Sequence, residues 1–158
     1  MRDDVCSQCA TAVALIACSK RKSSAMRPQS PEELYLGSLL QLQLAYARQA
    51  LNLPDAHIFI LSAQHGLVPL SQEIWPYDLV LSSLSVADRG MWGFRVANQL
   101  IARVPGVVEA YLMAGHVYRT AVVPELENWG IEVHIPHPES YGLGQQLAWY
   151  KVNASRPE

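Results

Sequence analysis

The chain has 158 residues, half of them hydrophobic and 16% charged, which suits a globular protein and excludes a disordered one. Its net charge of −2 excludes a global basic field, so that a polyanion would have to be held by a local group of cations. No apolar run approaches the roughly 20 residues of a membrane span, and the opening residues do not form a signal peptide pattern. We therefore expect a cytoplasmic protein without a membrane partner.

Strand and helix patterns alternate along the chain. The continuous apolar run at 11–18 predicts a strand that is covered on both faces. Residues 30–51 predict a helix, because Ser30 and Glu33 form a capping box and Pro31 takes the first helical position. The patterns that follow predict a strand at 57–63, a helix at 85–104 capped by Ser85, a strand at 107–115, a helix at 117–129 containing Pro124, a strand at 131–136 and a helix at 143–151.

This alternation predicts right-handed crossovers and a parallel sheet. The fold class is therefore α/β, a three-layer sandwich with a four-stranded parallel sheet. We expect one domain over residues 1–158, with an N-terminal extension at 1–10 and a polar tail at 152–158. Ligands of such sheets bind at the carboxyl ends of the strands.

Polar side chains follow every predicted strand. The segments are Cys18-Ser19-Lys20-Arg21-Lys22 after the first, Gln64-His65 and then Trp75, Tyr77 and Asp78 after the second, His116, Tyr118 and Arg119 after the third, and His137, Glu139, Ser140 and Tyr141 after the fourth. The loops at the opposite edge read NLPDA, RVPGV and ENWG, which are ordinary turns. Polar groups scattered at random would fall at both edges, so the asymmetry predicts a functional site at the carboxyl edge.

The cysteines and histidines do not predict a metal site. Cys6 and Cys9 form one C-x-x-C, with Cys18 as a distant third cysteine, whereas a structural zinc site needs four ligands. The histidines show no ligand pairing at i, i+4 or in H-x-E form. We expect no metal and no other cofactor, and we interpret Cys18 as a small buried residue at the strand end.

Linked motifs give a resemblance to known families. A-C-S-K-x-K, L-S-A-x-H-G-L-V, P-Y-D and L-x-A-G-x-x-Y-R run from about Ala17 to Trp149, and with them the chain resembles a widespread bacterial and phage family known as a domain of unknown function. The α/β plan with His137-Pro138 after the last strand is similar to the uracil-DNA glycosylase superfamily, which has H-P-S-P-L-S there. The base domain of archaeosine-type tRNA-modifying enzymes, with its own C-S motif, is similar in the same way.

The resemblance to uracil-DNA glycosylases implies an enzyme that cleaves the N-glycosidic bond of a base in DNA and leaves an abasic site. The target nucleotide is extruded into a pocket, and the segment 19–22 holds the strained phosphates. The loop aromatics Trp75, Tyr77 and Tyr141 stack on the freed base. His137 or His65 donates a hydrogen bond to the departing base. A modified base of phage DNA fits a phage-associated family.

One departure from that superfamily concerns the catalytic acid. Uracil-DNA glycosylases carry an aspartate after the first strand, within G-Q-D-P-Y-H, whereas the segment 19–22 has no acid. A carboxylate must then come from elsewhere. Asp78 is the first candidate, because Pro76 and Tyr77 would fix its backbone and dry its surroundings, and Glu139 is the second.

Other functions share the same features. A nucleoside or nucleotide hydrolase, or a deoxyribosyltransferase with a glycosylated carboxylate, would need the acid and fewer cations. A non-catalytic module would use the cations and aromatics to bind nucleic acid alone. A cysteine-based phosphatase is disfavoured because the segment 18–22 lacks a glycine-rich cradle, and P-loop and dinucleotide-binding glycine patterns are absent.

Overall fold

The computed structural model describes residues 11–154, so Cys6, Cys9 and the predicted N-terminal extension lie outside the described residues. The strands are β1 (Thr11–Ala17), β2 (Ile58–Ser62), β3 (Gly66–Pro69), β4 (Val107–Met113) and β5 (Glu132–His134). The helices are α1 (Pro31–Leu34), α2 (Ser38–Ala45), which continues as a π-helical turn over Tyr46–Ala50, α3 (Val86–Arg103), α4 (His116–Asn128) and α5 (Leu143–Ala154). Short 3-10 turns cover Asp55–His57 and Leu81–Ser83.

Within residues 11–154 the sheet has five strands in the order β3-β2-β1-β4-β5. The predicted α/β class is confirmed, and β2, β1, β4 and β5 run parallel to one another. The predicted count of four strands is wrong because β3 adds an antiparallel edge strand. Gly66 reverses the chain after β2 with a φ of 75°, which favours glycine, and pairs with Ser62. β3 is four residues long and directly follows a turn, so its apolar pattern is too short to be distinguished from that of a loop.

Helices cover both faces of the sheet. Val13 and Leu15 of β1 pack with side chains of α3 and α4, among them Val96 and Val122. The alternate residues of β1, Ala14 and Ile16, pack on the other face with α2 and α5, whose contributions include Leu40, Leu44 and Tyr150. The continuous apolar pattern of β1 follows from this double coverage. None of the helices within residues 11–154 is both long and apolar enough to cross a membrane.

The predicted caps are present, but one predicted helix is broken. Ser30 and Glu33 form the capping box of α1, and the Ser85 side chain accepts a hydrogen bond from the Asp88 amide at the start of α3. The single helix predicted over 30–51 is wrong, because Tyr35 leaves the helical conformation at φ −93° and ψ 120°.

The break arises because the chain after β1 pairs with the chain after α1. Lys22 forms an antiparallel bridge with Tyr35, and the Leu36 amide donates to the Arg21 carbonyl at 2.9 Å. A Cβ atom at Gly37 would lie 2.7 Å from the Cβ of Ser19, so this contact requires glycine. The pairing holds the cationic segment against the start of α2.

Candidate functional site

A cavity of about 440 Å³ opens at the carboxyl ends of β1 and β4. We call it the edge cavity. It lies at the edge where the sequence predicts a site and where open α/β sheets bind their ligands. Its lining is formed by Ala17, Cys18, Ser19, Lys20 and Lys22 after β1, by Leu39, Leu40 and Gln43 of α2, by residues 79–82, by residues 113–118, and by Gln146 of α5.

One wall of the edge cavity joins the end of β1 to the first turn of α4. The sulfur of Cys18 lies 3.2 Å from the phenol oxygen of Tyr118. Burial raises the pKa of Tyr118 well above its usual value, and the neighbouring Cys18 adds to the rise. The Tyr118 ring also contacts Trp92 edge to face, with ring centroids 5.5 Å apart. Tyr118 is therefore a fixed, protonated phenol at the side of the cavity.

The predicted cationic segment divides between the cavity and its surroundings. Lys20 and Lys22 line the edge cavity, whereas exposed Arg21 is not part of its lining. The Nζ atom of Lys22 lies 4.7 Å from the centroid of the Tyr77 ring, which is a cation–π contact. The Ser19 hydroxyl donates to the Arg21 carbonyl at 2.9 Å and accepts from the Gly37 amide at 3.2 Å. Two of the three cations are thus available to a ligand in the cavity.

Tyr77 belongs to a hydroxyl network beneath Lys22. Its phenol oxygen accepts from the Ser62 hydroxyl at 2.7 Å and is hydrogen-bonded to the phenol of Tyr35. Burial, with a contribution from Cys18, raises the pKa of Tyr77 and raises that of Tyr35 to about 12. The ring of His65 packs against Tyr77 with centroids 5.2 Å apart. Tyr77 therefore supports the cationic segment from inside, and its predicted stacking on a freed base remains a prediction.

His116 and His65, two of the three histidines predicted for the site, have different environments. His116 is exposed, begins α4 and lines the edge cavity. His65 lies beside Tyr77, and its Nε2 atom is buried without a hydrogen-bond partner in the described part of the chain. Burial lowers the pKa of His65 below its usual value.

His137 is buried away from the edge cavity. It is 2% exposed, and its Nδ1 atom lies 2.7 Å from the hydroxyl of fully buried Tyr150. Burial lowers the pKa of His137, and the positive charge of Arg119 lowers it further. His137 is not among the residues that line the edge cavity, so its predicted role in base release remains a prediction.

The two predicted carboxylates also stand outside the cavity lining. Asp78 is exposed and immediately precedes Leu79, the first of four consecutive lining residues. Glu139 lies in a neighbouring groove together with Arg119. Among residues 11–154, none that lines the edge cavity carries a carboxylate.

The remaining predicted site residues lie on the surface around this edge. Trp75 is 58% exposed, and Gln64 and Ser140 are also exposed. The Gln64 carbonyl accepts a hydrogen bond from Arg95 at 3.1 Å. Tyr141 lines a separate shallow groove along α5. The structure does not bring these four residues into the edge cavity.

Sequence reasoning missed the apolar part of the cavity. Leu39 and Leu40 line it because the helix is interrupted before α2, and nothing in the leucine spacing indicates that break. Gln43 lines it as well and is only 3% exposed. A polar residue at a leucine-rich helix position was a signal that could have found it, since buried amides need partners.

The sequence also did not predict a cluster of three possible metal ligands on β4 and β5. Glu109, Glu132 and His134 each offer one side-chain atom that could bind a metal ion, and these atoms all lie within 4.8 Å of one another. His134 Nε2 is 3.0 Å from a carboxylate oxygen of Glu109. The E-x-H spacing at 132–134 places two of them on one face of a strand, which was a usable signal. Glu109 lies four residues before the end of β4, outside the edge cavity.

The comparisons with known proteins show the family. The chain belongs to a family of unknown function (DUF6884), whose family model matches residues 13–152. Neither the curated proteins nor the solved structures gave a match to it.

Proposed function

We propose, for this member of a family whose function is unknown, that the edge cavity takes one nucleotide of a DNA strand and that the protein cleaves the N-glycosidic bond of its base. The product is DNA with an abasic site. The observation that carries the proposal is the composition of the cavity, in which apolar walls for a base lie beside Lys20, Lys22 and the first turn of α4.

The size and walls of the cavity suit a nucleobase. A volume of about 440 Å³ is within the usual range for small-molecule sites. Leu39, Leu79 and Val80 offer apolar surface to the faces of a heterocycle, in front of buried Leu40, Leu81 and Met113. The side-chain amide of Gln146 donates one N–H to the Tyr141 carbonyl at 3.0 Å, and its oxygen and second N–H can bond to the edge of a base.

A phosphate fits between the two lysines and α4. Gly115 is the N-cap of α4, and no side chain of the described chain caps its first turn. The backbone N–H groups at the start of a helix are then available to an anion, which the helix dipole also favours. Lys20 and Lys22 supply positive charge at the same cavity.

The reaction consumes one water. The water oxygen bonds to C1′ of the sugar as the C1′–N bond breaks, and the bonding electron pair leaves with the base nitrogen. We assign the proton of the water to Asp78, which directly precedes the lining residues 79–82, and protonation of the base to His116, which lines the cavity. His116 replaces His137 and His65 in this role because it is the histidine at the cavity wall.

The similarity to uracil-DNA glycosylases is part of the same proposal. The four parallel strands that the resemblance implies are present as β2-β1-β4-β5, with β3 added beyond β2. The substrate we propose is a modified base, because the segment 19–22 differs from the corresponding loop of that superfamily.

A second candidate function is nucleic-acid binding without chemistry. The observation that favours it is that no carboxylate lines the cavity within residues 11–154. In this case the protein holds an extruded or single-stranded nucleotide and releases it unchanged.

One experiment separates these functions. The protein is incubated with DNAs that carry different modified bases, the DNA is treated with alkali, and strand breaks at abasic sites are measured. The glycosylase is supported if DNA with at least one of the bases shows strand breaks. These breaks should disappear with the Lys20→Ala/Lys22→Ala variant and persist with Arg103→Ala, a control at the opposite edge of the sheet. DNA binding at the cavity without breaks on any base supports the binding module, and no binding contradicts both.

A further inference from the structure

A second groove of about 510 Å³ adjoins the edge cavity at His116, which lines both. We call it the α4 groove. Its lining consists of His116, Arg119, Thr120, Val123, Pro124, Ile135 and Glu139. His116 is thus a shared wall, and a ligand that leaves the edge cavity past His116 enters the α4 groove.

The α4 groove has an apolar floor and a charge of each sign. Val123, Pro124 and Ile135 provide the apolar surface. Arg119 Nη1 donates to the Ala114 carbonyl at 2.8 Å, which fixes the guanidinium at the end of β4. The other N–H groups of a guanidinium point in a planar fork that matches phosphate geometry. Glu139 is exposed and offers an acceptor.

Buried His137 is electrostatically coupled to two charged residues that line the α4 groove, Arg119 and Glu139. Burial lowers the pKa of His137, the positive charge of Arg119 lowers it further, and the negative charge of Glu139 opposes this effect. The ring of His137 is held by Tyr150 at 2.7 Å. Ligand-contacting groups that are supported by packed, hydrogen-bonded neighbours are pre-organised for binding.

We propose that the α4 groove binds the nucleotide adjacent to the one in the edge cavity. The inference rests on the proposed function and extends it, because it assigns a site to the neighbouring nucleotide of the strand and excludes a free nucleoside. Cations stand on both sides of His116, because Lys20 and Lys22 line the edge cavity and Arg119 lines the groove. This arrangement matches one phosphate per nucleotide along a backbone. The neighbouring base lies on the apolar floor, and Glu139 accepts from its exocyclic amino group.

The test compares ligands of different length. Binding of a deoxynucleoside 5′-monophosphate and of a single-stranded trinucleotide is measured with the wild type, with Thr120→Phe and with Asn128→Phe. Thr120 is exposed and lines the groove, so phenylalanine fills it without changing charge; Asn128 is exposed at the other end of α4 and is the matched control. We expect Thr120→Phe to weaken trinucleotide binding about tenfold or more, on the scale of a lost base-stacking contact, and to leave mononucleotide binding unchanged.

Other outcomes overturn the inference. It is wrong if the wild type binds both ligands equally, or if Thr120→Phe and Asn128→Phe behave alike. If Thr120→Phe removes a preference for the trinucleotide, but no DNA releases a base, the result supports the groove and contradicts the glycosylase. The two proposals can therefore fail separately.

A second variant avoids dependence on the folding of Thr120→Phe. Glu139→Gln changes one exposed side chain and keeps its size. The wild type should prefer trinucleotides whose neighbouring base carries an exocyclic amino group, adenine or cytosine, over thymine by about fivefold or more. Glu139→Gln should lose most of this preference, because the glutamine amide still accepts from an amino group but can also donate to the carbonyl oxygen of thymine. An unchanged preference contradicts the role of Glu139 in the groove.

Discussion

The thiol of Cys18 and the phenol of Tyr118 meet at 3.2 Å, although 100 residues separate them in the chain. The contact joins the end of β1 to α4, and both residues line the edge cavity. Cys18 is half-buried, whereas the sequence predicts a buried residue, and we expect it to report cavity occupancy because it lines the cavity where we propose that a base lies.

Alkylation of Cys18 should slow when DNA fills the cavity. In a Cys6→Ser/Cys9→Ser background, the rate of iodoacetamide modification should fall in proportion to the fraction of protein bound, because a bound base blocks access to the thiol. The rate is measured by mass spectrometry of the intact protein, with the Lys20→Ala/Lys22→Ala variant as a control that loses the protection. Equal rates at saturating DNA would place the ligand elsewhere.

The salt dependence of DNA binding should distinguish the three cations after β1. For single-stranded DNA, removing one phosphate contact should reduce the slope of log K against log salt concentration by about 0.7. We expect this reduction for Lys20→Ala and for Lys22→Ala, which line the cavity, and no reduction for Arg21→Ala, which does not. The sequence predicts a contact for all three, so an equal effect of Arg21→Ala would favour that expectation over the cavity geometry.

Asp78→Asn should abolish most of the chemistry and spare binding. The change is nearly isosteric and removes one exposed charge, so folding and DNA affinity should remain. Base release should fall about a hundredfold or more, as is typical when stabilisation of a transition-state charge is lost. Single-turnover rates with saturating enzyme measure this, with Glu139→Gln as the matched variant. If Glu139→Gln has the larger effect, the catalytic acid belongs to the last loop; if neither variant changes the rate, the glycosidic mechanism is wrong.

His116→Ala should slow base release most for poor leaving groups. A base that leaves poorly needs protonation in the transition state, whereas one that leaves easily does not, so the variant should approach the wild type on the easy substrate. Rates on a series of DNAs with bases of different leaving ability measure the trend. An equal loss on all of them would mean that His116 positions the nucleotide without donating a proton.

Stability should decrease when the pH falls through the range in which unfolded histidine takes up a proton. Burial lowers the pKa of His137 and of His65 below 6.5 in the folded protein, so the unfolded chain binds more protons just below pH 6.5. The two histidines contribute fully to the free energy of unfolding above about pH 6.5. This contribution declines as the pH falls towards their lowered pKa values. Urea unfolding between pH 5 and 8 should show a shallower decline for His137→Gln than for the wild type.

Tyr150→Phe is the matched variant for this pH experiment. It removes the hydrogen bonds of the Tyr150 hydroxyl to His137 and to Gln43, and it keeps the burial that is the largest cause of the lowered pKa of His137. We expect about 1–3 kcal/mol lower stability at every pH, because a buried ring nitrogen loses its partner, with the decline below pH 6.5 retained. A flat profile in Tyr150→Phe would contradict burial as the cause.

The parts of the fold that depend on local pattern were predictable. Ser30 and Ser85 cap helices as expected, and the apolar run at 11–18 is the central strand, because caps and double coverage leave a direct trace in sequence. The break at Tyr35 was not predictable, since it follows from pairing with Lys22, 13 positions earlier in the chain.

The candidate site shows the same division. The edge of the sheet and the cavity positions of Cys18, Lys20 and His116 follow from what stands after each strand. The burial of His137 does not, because its partner Tyr150 belongs to the last helix and no local pattern pairs them. The apolar wall from α2 likewise depends on how distant segments pack.

The bridge between Lys22 and Tyr35 has a kinetic consequence. Together with the Ser19–Gly37 contact, it ties the segment 19–22 to the chain before α2, so the mouth of the cavity is shaped before any ligand arrives. Association with a single strand should then be a one-step, second-order process whose rate falls with ionic strength, without a slower closing phase that saturates at high ligand concentration. A nucleotide that is still paired in a duplex must first open, and the speed of that opening, set by the DNA and not by the protein, becomes the limit on how fast the cavity fills.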